Sequence, residues 1–344
     1  MVIAPHSMLQ QTQDNSHLHR YSRASGLLRG TGVAHARILV IKHGALGDLI
    51  QGLDAFAGLR AGHPNAHIAL LTTPPFGSFA GRMPWFDEVI TDRRSSALNI
   101  RQTLRIRGLF RAGWHMVIDL QCSQRTARYH RFLTRRDCRW FGTAAGASDP
   151  YPDFTGVNNA ERMTTGIAMA GGDATVKAEL GWMTDAATVP PECEGATVLV
   201  PGCSLSKPRK RWPASRFAEL ARRERDAGQT VVIVGTAADR DAADLVIREA
   251  PHCLDLVGKT DLSSLAALMT VAGTVVGNDT GPVFLAARSG APTLMIMGPD
   301  TDPSMSAPVG ARADWIRKES IADIAAIEVA DALVGLRGRE SDQG

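Results

Sequence analysis

From residue 37 onward, short apolar runs alternate with longer stretches in which apolar residues recur at helical spacing. ARILVIK (36–42), HIALLTT (67–73), EVIT (88–91) and WHMVIDL (114–120) predict strands, and 48–61 and 98–112 predict helices between them. Continuous apolar strands separated by helices predict a parallel sheet covered on both faces. The region 143–195 breaks the pattern. It is rich in Gly, Pro and Asp, holds one helix around 160–170, and runs into TVPPECEG at 188–195, as an interdomain connection would. The alternation then restarts with strands ATVLVPG (196–202), QTVVIVG (229–235), GTVVGND (273–279) and APTLMIMGP (291–299). Helices are predicted near 213–227, 238–249, 261–271 and 282–289. No short repeat period is visible, which excludes a solenoid. The architecture predicted is two successive doubly wound α/β units, 37–190 and 191–344, facing a cleft. A last helix near 320–336 could pack on either unit, including back on the first.

Composition narrows this reading. A chain of 344 residues suits two domains of about 150 each, and 44% hydrophobic with 21% charged residues is the balance of a globular enzyme. No apolar run approaches the roughly 18 residues of a membrane span. The five cysteines (Cys122, Cys138, Cys193, Cys203, Cys253) form no Cys-x-x-Cys pair and read as reduced thiols, without a metal or disulfide framework. Residues 1–36 are rich in His, Gln, Ser and Arg and lack the hydrophobic segment of a secretory signal, so a disordered extension is expected there. These features point to the cytoplasm.

Charge changes the picture in one place. Between Arg93 and Arg139 lie twelve arginines, no lysine and two acids, Asp119 and Asp137, so this segment carries +10 against −7 for the remainder. Such a field suits an anionic partner: a membrane surface, a phosphorylated acceptor or nucleic acid. A solvated helical face is the bland alternative.

Four segments could carry chemistry. In VIKHGALGDLIQGLDAF (40–56) a strand passes through a glycine turn into a helix, an arrangement that usually cradles phosphate, yet Asp48 stands where the anion would sit. The turn lacks the second glycine of the dinucleotide fingerprint and the Gly-Lys-Ser/Thr ending of a P-loop. Asp48 is therefore either a helix cap or a base projecting into a cleft, with Gly44 and Gly47 allowing close backbone approach. VPGCSLSKPRKRWPASRF (200–217) places Lys207, Arg209, Lys210 and Arg211 after a strand, at the carboxyl edge where α/β ligands bind, and would suit a diphosphate. In VVGNDTGPVFLAARSGAPTLMIMGP (275–299), Thr280, Gly281 and the amides that follow could form an anion nest, against a plain turn capped by Asp279 or Thr280. VGKTDLSSLAALM (257–269) lacks the upstream glycine of a P-loop; its helix is capped by Asp261 or Thr260, and Lys259 and Thr260 could edge a nucleotide site. His63 and His67 lack a third ligand for zinc, and no Asp-x-Asp motif is present.

Taken in order, these segments together with VIDLQCSQRTARY and VVIVGTAADRD resemble glycosyltransferase family 9, the bacterial heptosyltransferases of lipopolysaccharide core assembly, over roughly 37–335. The resemblance implies the GT-B architecture, with two Rossmann-like domains, the acceptor side N-terminal and the nucleotide-sugar side C-terminal. It implies inverting transfer from an ADP-sugar without a cofactor or metal. Asp48 matches the general base. Lys210 matches the contact to donor phosphate, and Asp279, Thr280 and Gly281 match the diphosphate turn. Arg211, Ser204, Gly235, Lys259 and Thr260 fall with the donor side, and Gly44, Gly47, Gln121 and Arg125 with the acceptor side. The implied partners are a nucleotide-sugar donor and an anionic glycolipid or glycan acceptor, with peripheral contact at the cytoplasmic face of the inner membrane and no nucleic acid. Two positions depart from the family pattern. Phe284 stands where His is common, removing a donor to sugar or phosphate, and Asp300 replaces Thr, adding repulsion near the diphosphate. The competing readings are a non-catalytic nucleotide-sugar-binding protein of the same fold, a transferase with another donor, and a nicotinamide-dependent oxidoreductase, against which the failed fingerprint speaks.

Overall fold

A computed structural model describes residues 36–338 apart from 97, 185, 186, 205 and 206; the extension read over 1–36 lies, but for Ala36, outside the described residues. The first unit runs β1 (Arg37–Ile41), α1 (Leu46–Gln51), α2 (Leu53–Gly62), β2 (His67–Thr72), α3 (Pro74–Ala80), β3 (Glu88–Thr91), α4 (Ile100–Phe110), β4 (Met116–Asp119), α5 (Gln124–Leu133), β5 (Arg139–Gly142), β6 (Asp149–Pro150) and α6 (Asn159–Met169). The second runs β7 (Thr197–Val200), α7 (Ala214–Asp226), β8 (Val231–Ile233), α8 (Arg240–Glu249), β9 (Leu254–Asp255), α9 (Leu262–Val271), β10 (Thr274–Asn278), α10 (Gly281–Arg288), β11 (Thr293–Met297), α11 (Pro303–Ser306), β12 (Ala313–Arg317) and α12 (Ala326–Arg337).

Every strand pairing is parallel, and the sheet orders are β3-β2-β1-β4-β5-β6 and β12-β11-β10-β7-β8-β9. Counted within each unit, both follow the Rossmann order 3-2-1-4-5-6. The order reverses between β1 and β4 in one sheet and between β7 and β10 in the other. Those two points, at the carboxyl ends of the strands, are where this topology opens a crevice.

Alternation along β1 explains the layering. Leu39 and Ile41 cluster with Ile106 and Phe110 of α4 and Tyr129 of α5 on one face. Ile38 and Val40 face the other way, into a core with Phe56 of α2 and Met163 and Ile167 of α6. That second core continues without a break into the C-terminal unit through Val198, Val200, Val283 and Phe284.

Several elements differ from expectation. The helix predicted over 48–61 breaks at Gly52, the C-cap of α1 and N-cap of α2, where a Cβ would come within 2.8 Å of the Phe56 ring. β5, β6, β9, β12, α3 and α5 were not predicted; β6 and β9 have two residues each, too few to carry a period. The last helix packs on α7 and on β10–β12, burying Val329, Leu333 and Leu336 with Trp212 and Phe217. It covers the C-terminal sheet and does not return to the N-terminal unit.

The units meet where α1 lies against α10. A Cβ on Gly47 would come within 2.6 Å of the Phe284 ring, and one on Gly281 within 2.7 Å of the Leu46 Cβ. Phe284, 7% exposed, fills this contact. Phe284→Ala is expected to lower the unfolding free energy by about 3 kcal/mol in urea titration, the cost of a large cavity in a packed interface.

Candidate active site

Between the units lies a cleft of about 1100 Å³. The N-terminal side contributes Ala45, Leu46, Phe76 and Arg82, and the C-terminal side Ser204, Gly235, Asp239, Thr260, Thr280 and Gly281, among others. Apart from Arg82, which follows α3, these residues come from loops and first helical turns that follow strands.

Asp48 sits in the first turn of α1, where the helix dipole favours a carboxylate. It is not the cap. Ala45 holds that position, and no side chain makes a capping bond there. Its Oδ1 accepts from Asn159 Nδ2 at 3.1 Å, and its Oδ2 lies 3.4 Å from Lys42 Nζ. Lys42 is 3% exposed, and its Nζ also donates to the Leu120 carbonyl at 3.3 Å. A buried ammonium needs an anion and hydrogen bonds to be tolerated, and Asp48 and Leu120 supply them. The Asp48 side chain remains 37% exposed, so the carboxylate is held from behind and open in front. The preceding turn needs glycine: Gly44 has φ +116°, and a Cβ there would come within 2.4 Å of the Phe76 ring.

Beside this pair are two buried titratable groups with opposite shifts. Asp119, at the end of β4, is 1% exposed and accepts from the amides of Gln121 (3.1 Å) and Cys122 (2.9 Å). Burial outweighs those bonds and Lys42, and raises its pKa from 3.8 to about 6. His43 is 3% exposed with Nε2 3.6 Å from Asp92 Oδ2. Burial outweighs the attraction of Asp92, and Arg94 and Arg125 add to the depression, so its pKa falls from 6.5 to about 4. At neutral pH the imidazole is uncharged and the His43–Asp92 contact is not an ion pair. Tyr129 Oη donates to Asp92 at 2.5 Å instead.

Across the cleft, the loop after β7 brings Lys210 onto Asp279, which follows β10, and Thr301 Oγ1 donates to the same carboxylate oxygen at 2.9 Å. Both members of the pair are largely buried. The Asp279 carboxylate accepts hydrogen bonds only, so it holds Lys210 and leaves phosphate contacts to the lysine and to α10. Thr280 is the N-cap of α10 and makes no side-chain capping bond; it and Gly281 line the cleft where the first helical amides lack intrahelical partners. Asp239, tied by the Thr236 amide and hydroxyl at 2.9 and 2.8 Å, also faces the cleft. Gly202 makes room for it, since a Cβ there would come within 2.3 Å of that carboxylate. Arg82 crosses from the first unit to Ser263 Oγ and to the carbonyls of Trp182 (2.6 Å) and Met183 (3.4 Å).

Of the residues read from sequence, Ser204, Gly235, Thr260, Thr280 and Gly281 line the cleft, with Asp48, Lys210 and Asp279 at the two switch points beside it. Others are turned to internal work. Lys259 donates to the Asp255 carbonyl at 2.7 Å and is 60% exposed away from the cleft lining. Arg211 donates to the Cys203 carbonyl at 2.6 Å. Gln121 accepts from the His43 amide at 2.9 Å, and Arg125 holds the carbonyls of Arg94 and Ser95. Asp261 caps α9 by accepting from the Ser264 amide at 2.7 Å, as expected. The two departures acquire different meanings. Phe284 packs against Gly47 rather than lining the cleft, and Asp300 pairs with Arg209 at 3.2 Å rather than standing as a free charge. Sequence reasoning missed Lys42, Arg82, Asn159 and Asp239. Lys42 carried a signal, a lysine closing a fully apolar strand; Asn159 lay in the segment read as a connection and carried none.

A family model described as glycosyltransferase family 9 (heptosyltransferase) matches residues 165–328. This chain carries a family 9 glycosyltransferase domain. Lipopolysaccharide heptosyltransferase 2 of Escherichia coli (strain K12) is 32% identical over 122 residues, 34% of this chain and 34% of that protein, so the aligned stretch spans about a third of that relative's length. The solved structure of E. coli ADP-heptose lps heptosyltransferase II matches with a TM-score of 0.70 at 22% identity, covering 88% of this chain and 98% of that one. E. coli heptosyltransferase WaaC with ADP matches at 0.73 and 18%, covering 87% and 99%. The family 9 domain contains the Lys210–Asp279 pair, and the structural likeness extends the shared two-unit fold to the half bearing Asp48.

Linkage gives a test of the buried pair. Asp119, with its pKa raised, contributes a stability that falls as pH rises from 3.8 to about 6; His43, with its pKa lowered, contributes one that rises from about 4 to 6.5. The two slopes oppose each other over nearly the same window. Asp119→Asn should leave an unfolding free energy that rises with pH between 4 and 6.5, and His43→Gln one that falls between 4 and 6. Each slope approaches about 1.4 kcal/mol per pH unit at most, readable by urea titration.

Proposed function

We propose that the family 9 domain and its N-terminal partner unit form an inverting, metal-independent heptosyltransferase, moving heptose from ADP-heptose to a lipopolysaccharide-core acceptor at the cytoplasmic face of the inner membrane. The observation that carries the reading is the placement of an open carboxylate, Asp48, and a carboxylate-held lysine, Lys210, at facing switch points beside one cleft. The names of the similar proteins, heptosyltransferases of lipopolysaccharide with ADP or ADP-heptose in their descriptions, supply the substrate class.

The chemistry follows from the charges. Asp48 takes the proton of the acceptor hydroxyl as its oxygen attacks the anomeric carbon from the face opposite the diphosphate. Lys42 and Asn159 fix the carboxylate, so the exposed edge points at the acceptor without reorganisation. The departing ADP gains negative charge, which Lys210 and the first turn of α10 stabilise from preorganised positions. Asp239 offers a hydrogen-bond acceptor to ribose hydroxyls across the glycine-lined floor. Gln121 and Arg125 fix the backbone around the acceptor turn.

Thermal unfolding with ADP, UDP, GDP and NAD, each with and without EDTA, tests donor class. ADP at 100 times its dissociation constant should add about 2.7 kcal/mol, unchanged by EDTA. UDP or GDP in its place would change the donor, NAD would favour the oxidoreductase, and no shift would remove the transferase reading. Asp48→Asn should retain the ADP shift and lose about 100- to 10,000-fold in ADP release from ADP-heptose with heptose-deficient lipopolysaccharide. A wild type that binds ADP without turnover on any such acceptor would make the protein a nucleotide-sugar binder.

A further inference from the structure

Four of the eight exposed large apolar side chains among the described residues gather where the arginines do. Leu98, Ile100, Leu104 and Phe132 are 89%, 73%, 59% and 64% exposed, and all lie within the arginine-rich segment. α4 turns Ile106 and Phe110 into the core and leaves Ile100, Arg101, Leu104, Arg105 and Arg107 outside. α5 buries Thr126 and Tyr129 and leaves Arg128, Arg131 and Phe132 outside, with the Arg131 guanidinium 5.1 Å above the Phe132 ring. Among the described residues no carboxylate lies within ion-pair distance of Arg101, Arg105, Arg107, Arg128 or Arg131. A merely solvated basic face would carry acids to balance it and polar residues at 98, 100 and 104. This one has surplus positive charge and exposed aliphatic side chains on the same outer layer, on the sheet face opposite the core shared with the C-terminal unit.

We infer that the α4–α5 layer docks on an anionic lipid bilayer, with Leu98, Ile100, Leu104 and Phe132 entering the interface and the surrounding arginines meeting lipid headgroups. Charge complementarity selects the occupant: basic side chains attract an anionic leaflet, and aliphatic side chains beside them gain by leaving water for the acyl boundary. Nucleic acid would satisfy the arginines but offers nothing to Leu98, Ile100 and Leu104. Among the described residues no helix is long and apolar enough to cross a membrane. The layer is coupled to the acceptor turn. Arg125 and Tyr129 of α5 hold Arg94, Ser95 and Asp92, and Asp92 lies against His43, next to Gly44. Docking this layer therefore sets the orientation of the acceptor edge relative to the lipid. The inference deepens the proposed function, since a glycolipid acceptor is displayed by a bilayer, but lipid binding is measurable without sugar transfer.

The test is sedimentation of the full chain with vesicles of phosphatidylcholine alone or enriched in phosphatidylglycerol. Binding is expected to the anionic vesicles and to weaken with salt. Each arginine near the surface contributes roughly fivefold in partition, so Arg101→Gln/Arg105→Gln/Arg128→Gln should reduce binding about a hundredfold. Leu98→Ser/Ile100→Ser/Leu104→Ser should reduce it comparably with an unchanged unfolding curve, since all three positions are exposed. Equal binding to both vesicle types, or wild-type binding by both triple variants, overturns the proposal. So does tight binding of an RNA or DNA oligonucleotide that the arginine variant loses and the aliphatic variant keeps. Vesicle binding without an ADP shift would sink the transferase reading and leave this one standing; the reverse result would do the opposite.

Discussion

Everything at the cleft depends on how closely α1 approaches α10. The two helices follow the first strand of one sheet and the fourth of the other, and each begins at a switch point. With any side chain at 47 or 281 the helices would separate, because a Cβ would overlap the Phe284 ring or the Leu46 side chain. The glycines therefore do more than free the backbone for turns. They let two crevices, each a property of its own sheet, become walls of one site. Position 284 is part of the same constraint: a flat aromatic ring covers Gly47 and joins the two cores, a role unrelated to the ligand-binding one that the family pattern suggests for an imidazole.

Both walls use the same pair of residue types and expose them differently. In each unit a lysine sits against an aspartate at the carboxyl edge, Lys42 with Asp48 and Lys210 with Asp279. On the N-terminal side the lysine is buried at 4% side-chain exposure and the carboxylate is open at 37%, so the face offered to a ligand accepts protons or hydrogen bonds. On the C-terminal side the carboxylate is the more deeply buried member, at 9% against 14%, and the amides of α10 lie beside it, so that face favours an anion. Polarity across the cleft thus comes from which partner is covered. The puzzle of an aspartate in a phosphate-type turn has this solution: the helix dipole stabilises the Asp48 carboxylate itself, which takes the place of a bound anion.

Much of this was legible in the chain. Continuous apolar strands such as RILVI and TLMIM, and helices with clear period, indicated the doubly wound class, though not the strand order, because burial on both faces leaves an unambiguous pattern. Asp48 was visible because it contradicts a phosphate-type turn, and Lys210 was singled out from its basic loop only by the family resemblance. What stayed hidden was long-range. Nothing near Asn159 indicates that it reaches Asp48 across 111 positions, and Arg82 is one arginine among many until it spans two units to Ser263. Lys259, Arg211 and Arg125 looked like ligand contacts because a cation in a loop has no visible partner in sequence; in the fold each is spent on a neighbouring carbonyl. Edge strands of two residues and the mixed pattern of α5, whose outward face is basic and aromatic, defeat periodicity for the same reason.

The arrangement around Asp48 favours alignment: one carboxylate oxygen faces Lys42 and the other accepts from Asn159. For the proposed inverting displacement, high basicity is not the first requirement. The attacking oxygen becomes acidic only as its bond to the anomeric carbon forms, so the base is required late, when the proton it receives is no longer that of an ordinary alcohol. What such a reaction needs before that moment is alignment rather than high basicity. Lys42 sets one oxygen of the carboxylate, and Asn159, bonded to the other, fixes its rotation. The nearby groups are kept from interfering, with His43 neutral and Asp119 buried and retaining its proton to about pH 6. One carboxylate, Asp48, is thereby left open and fixed beside the cleft.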